Sequence, residues 1–171
     1  MELIAVRPED RELLWNLNQK YLYEMTNFYD DELDEAGVLH YGHFDEYFTD
    51  PRREALLICD GETLTGFAMV CPYSQLGEPV DHVMAEFTVF PMFRRRGLAF
   101  AAARRILEER PGRWEIKYNE KNAAGKALWT KVTAPYAPVK VRYSDCETVL
   151  AFTVEQGGAK RPTRHDAKHR H

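Results

Sequence analysis

Arg94-Arg95-Arg96-Gly97-Leu98-Ala99 is the stretch of this chain best equipped for chemistry. Three guanidinium groups and a glycine stand directly ahead of a helical pattern. Its apolar positions, Leu98, Ala99, Ala102, Ala103, Ile106 and Leu107, fall on one helix face. The first turn of a helix carries unpaired backbone N–H groups and the positive end of the helix dipole. Gly97 lets a ligand approach the backbone, and the arginines add positive charge. Together these features describe a phosphate site. Arginines alone would equally describe a solvated basic patch; the ordered setting around them favours the anion site.

That setting begins upstream. Ala85 to Phe90 is aromatic and β-branched, as in a buried strand. Pro91 stops it, having no N–H to give a neighbour. Before it, Leu3 to Val6 reads as a strand, and Pro8-Glu9-Asp10 starts a helix whose inner face is Leu13, Leu14, Leu17, Tyr21 and Met25. Thr26 to Gly37 is an acidic loop, and aromatic-rich His40 to Phe48 is expected to form a second short helix. Ala55 to Cys59 and Leu64 to Cys71 flank Asp60-Gly61 as a β-hairpin. After the helix from Leu98, Pro111-Gly112 marks a stop. Trp114 to Tyr118 is a strand and Asn119 to Val132 a helix. Val139 to Tyr143 and Thr148 to Val154 form a last strand pair. The order β-α-α-β-β-β-α-β-α-β-β has no repeat and no linker. It predicts one α+β (mixed α/β) domain over residues 1–156, and a disordered basic tail over 157–171.

Composition narrows the function. With 171 residues, 44% of them hydrophobic, the chain is long enough for a substantial core. Its net charge of −4 disfavours nucleic acid as the main partner and sets the arginine cluster against an acidic background. No apolar run spans a membrane and no signal peptide is evident, so a cytoplasmic protein without a membrane partner is expected. Cys59, Cys71 and Cys146 are widely spaced and odd in number, and no metal site is expected. The histidines near the end of the tail could bind metal only weakly.

Arg94-x-x-Gly97-x-Ala99 matches the [Gln/Arg]-x-x-Gly-x-[Gly/Ala] signature of the GNAT N-acetyltransferases. Asn122-x-x-Gly125-x-x-Leu128-Trp129 resembles the family's Asn-x-x-Ala-x-x-[Phe/Leu]-Tyr helix, and Phe87 to Pro91 is similar to the segment before the signature. The element order also resembles that family. The likeness covers most of residues 3–154, is strongest in the central stretch and is weak before Ala55.

The resemblance implies a twisted, mostly antiparallel sheet of six to seven strands with about four helices. It implies acetyl-CoA as co-substrate, with the pyrophosphate on the backbone from Arg95 to Ala99, including Leu98. Arg94, Arg95 and Arg96 would pair with phosphate oxygens. The strand of Phe87, Thr88 and Val89 would splay from the next one, so that pantetheine pairs in the gap. Asn122 would reach the pantetheine arm, cap the helix, or do both.

Acetyl transfer then needs a base, an oxyanion site and an acid. Glu86 is the expected base, with His82, Glu24 and the Asp30–Glu35 acids as alternatives. The family's usual tyrosine acid is replaced by Trp129, whose indole N–H donates a hydrogen bond but no proton. Trp129 therefore positions the sulfur or packs, and Tyr118 and Tyr136 are substitutes by proximity in sequence. The acceptor expected is a primary amine of a small molecule or protein. Acids with Phe28, Tyr29, Tyr41 and Phe44 would suit a cation, although a plain solvated loop is equally in keeping with them. The final strands admit a homodimer, as in relatives. The competing reading, fed by Trp129, is a non-catalytic acyl-CoA-binding or sensor module.

Overall fold

The computed structural model describes residues 1–157, so the expected tail lies outside the described residues except for Gly157. Seven strands form one sheet in the order β1-β2-β3-β4-β5-β7-β6. They are β1 (Glu2–Ala5), β2 (Glu54–Asp60), β3 (Thr63–Cys71), β4 (His82–Val89), β5 (Gly112–Asn119), β6 (Val139–Arg142) and β7 (Glu147–Val154). All neighbours pair antiparallel except β4 and β5.

Three α-helices cover the sheet: α1 (Arg11–Met25) on one face, α2 (Leu98–Glu108) and α3 (Ala123–Thr133) on the other. Leu14 and Leu17 of α1 meet Phe67, Met69 and Val83. Ala103, Ile106 and Leu107 of α2 join Trp129 and Val132 of α3 over Trp114 and Leu150. Leu13, placed on the inner face by its spacing, is instead 38% exposed, and fully buried Asn18 takes the next inward position after Leu17. The helix expected over His40–Phe48 is only a short 3-10 turn, Asp45–Phe48. His43 sits at φ +64, a left-handed conformation through which a right-handed helix cannot run. The hairpin turn also moves one residue on: Asp60 pairs with Thr63, leaving Gly61, at φ +60, as the first of two central residues.

Two irregularities of β4 shape everything that follows. Met69 pairs with Glu86 but Val70 with Met84, so Ala85 is an extra, bulged residue. A one-residue insertion reverses the side-chain alternation beyond it. Val83 faces the α1 side and Met84 the other; past the bulge Glu86 faces the α1 side, and Phe87 faces α2 and α3. The parallel pairing of β4 with β5 also ends early. It joins His82, Val83 and Met84 to Trp114, Glu115 and Ile116, and no further pair follows among the described residues. Beyond Met84, β4 keeps to β3 while β5 keeps to β7.

The Thr88 carbonyl lies so close to Gly66 of β3 that a β-carbon at Gly66 would run into it. Gly66 therefore allows β3 to hold the free end of β4. Replacing Gly66 with Ala should force the strands apart and cost about 1–3 kcal/mol, read as a lower denaturation midpoint with an unchanged slope.

Candidate active site

The end of β4 offers backbone groups to the gap. Phe90 donates its N–H to Thr65 O of β3 at 2.8 Å, and the Thr88 carbonyl also lies against β3. Peptide groups alternate sides along a strand, so those of Phe87 and Val89 point away from β3, into the opening. An extended amide-bearing ligand could pair there as a strand would.

The turn that follows is built for an anion. Arg95 and Gly97 both take left-handed φ values, +63 and +77. No side chain caps the N-terminus of α2 at Gly97, which leaves its first N–H groups to a ligand. By contrast, α3 is capped: Asn122 Oδ1 accepts from Gly125 N at 3.0 Å. Asn122 is thus committed to its helix through that oxygen.

The three arginines divide. Arg94 Nε donates to Val89 O at 2.7 Å, and its Nη2 reaches Glu24 of α1 at 2.7 Å. The Arg94 side chain, expected on phosphate, is therefore turned back onto β4 and α1. Arg95 and Arg96 stay exposed, Arg96 lying over the Phe93 ring at 5.9 Å. Leu98 and Ala99 begin α2 partly buried.

On the α1 side of the gap, Tyr41 donates its hydroxyl to Glu86 Oε1 at 3.2 Å, and the Tyr21 hydroxyl lies beside that carboxyl and favours its ionised form. Burial pushes the Glu86 carboxyl up to about 7, while the two phenols and the Lys117 charge favour the ionised form. Burial, with Glu86 next to them, raises both phenols well above the ordinary tyrosine range. They therefore act as neutral donors.

Across the gap, Lys117 of β5 pairs with Glu147 of β7 at 3.0 Å, and Tyr29 donates to the same carboxylate at 3.0 Å. The segment between α1 and β2 is fixed over this side. Gln19 exchanges two hydrogen bonds with the Leu39 backbone, at 2.7 and 2.8 Å, and Asn119 Nδ2 donates to Phe28 O at 3.4 Å.

The alternatives for the base are placed elsewhere. The His82 ring lies tilted against Trp114, with centroids 4.8 Å apart, and bonds Pro111 O, at the closed end of β4. Glu24 is held by Arg94. Asp30, Asp31, Glu32 and Glu35 are exposed, and Asp34 spends its carboxylate on the Ala36 and Val38 N–H groups.

Trp129 is buried and meets the Phe87 ring edge-on, with centroids 5.1 Å apart. It packs beneath the open end of β4. Tyr136 stacks on Phe152, whereas buried Tyr118 lies on β5. Sequence reasoning missed the roles of Tyr21, Lys117 and Glu147. Tyr21 reads as one more inward helix residue, and a Lys–Glu pair from separate strands leaves no local signal.

A family model for the acetyltransferase (GNAT) family matches residues 13–132. A comparison with curated proteins returns no match. The fold resembles that of an acetyltransferase from Thermus thermophilus at 19% identity, with a TM-score of 0.64 over 90% of this chain and 96% of that one. The GNAT domain of S. lividans PAT is similar at 15% identity, with a TM-score of 0.63 over 89% of both chains. The paia N-acetyltransferase from Thermoplasma acidophilum, solved in complex with coenzyme A, is similar at 11% identity, with a TM-score of 0.57 over 90% of this chain and 100% of that one. With the matched region spanning the splayed strands, the uncapped turn and the Asn122 helix, the chain belongs to the acetyltransferase (GNAT) family.

Proposed function

We propose that this protein transfers an acetyl group from acetyl-CoA to a primary amine of a cationic acceptor, by direct attack within a ternary complex. The observation that carries the reading is Glu86: a half-buried carboxyl pushed up to about 7, beside the stretch of β4 that no longer pairs with β5. A base in that range is about half ionised at neutral pH and takes a proton readily.

The pyrophosphate rests on the turn from Arg95 through Gly97 and Leu98 to Ala99, with Arg95 and Arg96 as its cations. The pantetheine amides pair with the β4 edge. The acceptor enters from the side of α1, and Glu86 removes its ammonium proton directly or through water. The amine nitrogen then bonds the thioester carbon. A β4 N–H holds the oxyanion, the C–S bond breaks, and the nitrogen gives up its remaining extra proton to the leaving thiolate directly or through water, yielding the amide and CoA thiol. Trp129 supports Phe87 by packing, which frees the acid role for another group or for solvent.

Release of CoA thiol in the presence of amines tests this reading. Steady, amine-dependent release supports transfer, whereas acetyl-CoA binding without turnover would identify a sensor module. Glu86→Gln should lower kcat about 10²-fold or more while acetyl-CoA affinity holds. In the wild type, kcat/KM should fall as pH drops through about 7. Tyr41→Phe removes a bond that favours the carboxylate, so its acid limb should move to higher pH.

Stability supplies a second readout. The folded carboxyl holds its proton more tightly than the ordinary value of 4.5 in the unfolded chain. The native state therefore binds more protons between those values. Stability is lost as pH rises through that window and stays lower above about 7. Glu86→Gln should thus raise Tm at about pH 8, with the gain shrinking toward about pH 5. Gly97→Glu should abolish acetyl-CoA binding in a folded protein, because it sets a carboxylate against the phosphates. Its own folding cost should be only about 1–2 kcal/mol, from the left-handed φ.

A further inference from the structure

The charges around the gap are balanced in a way that restricts the acceptor. Arg94 neutralises Glu24 at 2.7 Å, and Lys117 neutralises Glu147 at 3.0 Å. Tyr29 and Ser144 add further donors to Glu147, so its oxygens are already well supplied. Buried Glu115 is closed off by the Ser74 hydroxyl and the Gln75 N–H, beside the paired end of β4. Glu86 is different. Its hydrogen-bond partners are phenols, which bring no charge. It is the carboxylate of the gap left for the acceptor to neutralise.

The walls beside it are aromatic. Tyr21 meets Phe67 edge-on at 5.9 Å, and Tyr41 meets Phe44 at 6.4 Å. A second cation on the acceptor would find Glu24 and Glu147 already ion-paired, and Glu115 buried behind its own donors. An acceptor carboxylate would have to displace Glu147 from Lys117, at the cost of leaving a largely buried charge alone. The exposed loop acids lie in solvent, where screening limits them to attracting cations from a distance.

We propose that the acceptor is a monoamine: a primary amine whose ammonium is its only charge, carried on an alkyl or aromatic body. This rests on the transfer reading above. The Lys117–Glu147 pair is then a specificity determinant that keeps a second recognition carboxylate switched off.

The test compares kcat/KM for pentylamine and 2-phenylethylamine with that for 1,5-diaminopentane and 6-aminohexanoate, all with acetyl-CoA. The monoamines should lead by about tenfold or more. Lys117→Met leaves Glu147 without its cation, so the ratio should shift toward the diamine. The double variant Lys117→Met/Glu147→Gln removes both charges and should restore the monoamine preference, even if the single variant folds poorly. A wild-type preference for the diamine or the amino acid overturns the proposal. So does an unchanged ratio in folded Lys117→Met. If CoA raises Tm but no amine is acetylated, the transfer reading itself falls, and the proposal with it.

Discussion

The parting of β4 from β5 after three paired residues is the constraint on which the rest of this structure depends. Unpaired strand edges inside a sheet are costly, because each amide gives up water without gaining a partner. Here each strand is held by its other neighbour: β4 by β3 through Val89, and β5 by β7 along its whole length. The opening survives because those two pairings carry the load. Gly66 lets β3 approach the Thr88 carbonyl, and Trp129 closes against Phe87 from below.

The bulge at Ala85 gives the opening its polarity. Were the strand to alternate regularly through Ala85, Glu86 would share the face of Met84, toward α2 and α3. With the bulge, the carboxyl meets Tyr21 and Tyr41 on the α1 face, where its charged form has donors. A local backbone irregularity thereby sets both the direction and the acidity of one side chain. The two phenols stabilise the ionised form without neutralising it, which an arginine in their place would do.

Much of this was legible in the sequence, for local reasons. The strand, the glycine turn and the helix from Leu98 are contiguous, and their periods differ clearly. The Asn122 cap follows from one polar residue ahead of a helical pattern. Glu86 could be named because it adjoins Phe87, but its environment could not, since Tyr21 and Tyr41 come from distant segments. The contacts of the Arg94 side chain are hidden from sequence for a similar reason. Charge and position pointed to phosphate, whereas its partner, Glu24, lies a long way back in the chain. The helix over His40–Phe48 failed because a left-handed His43 is invisible to composition.

Arg94 has a consequence of its own. One guanidinium grips the end of β4, the start of the anion-binding turn and the last turn of α1 at once. The two halves of the cleft are therefore one mechanical unit. Moving the turn relative to α1 would mean stretching or breaking that 2.7 Å ion pair.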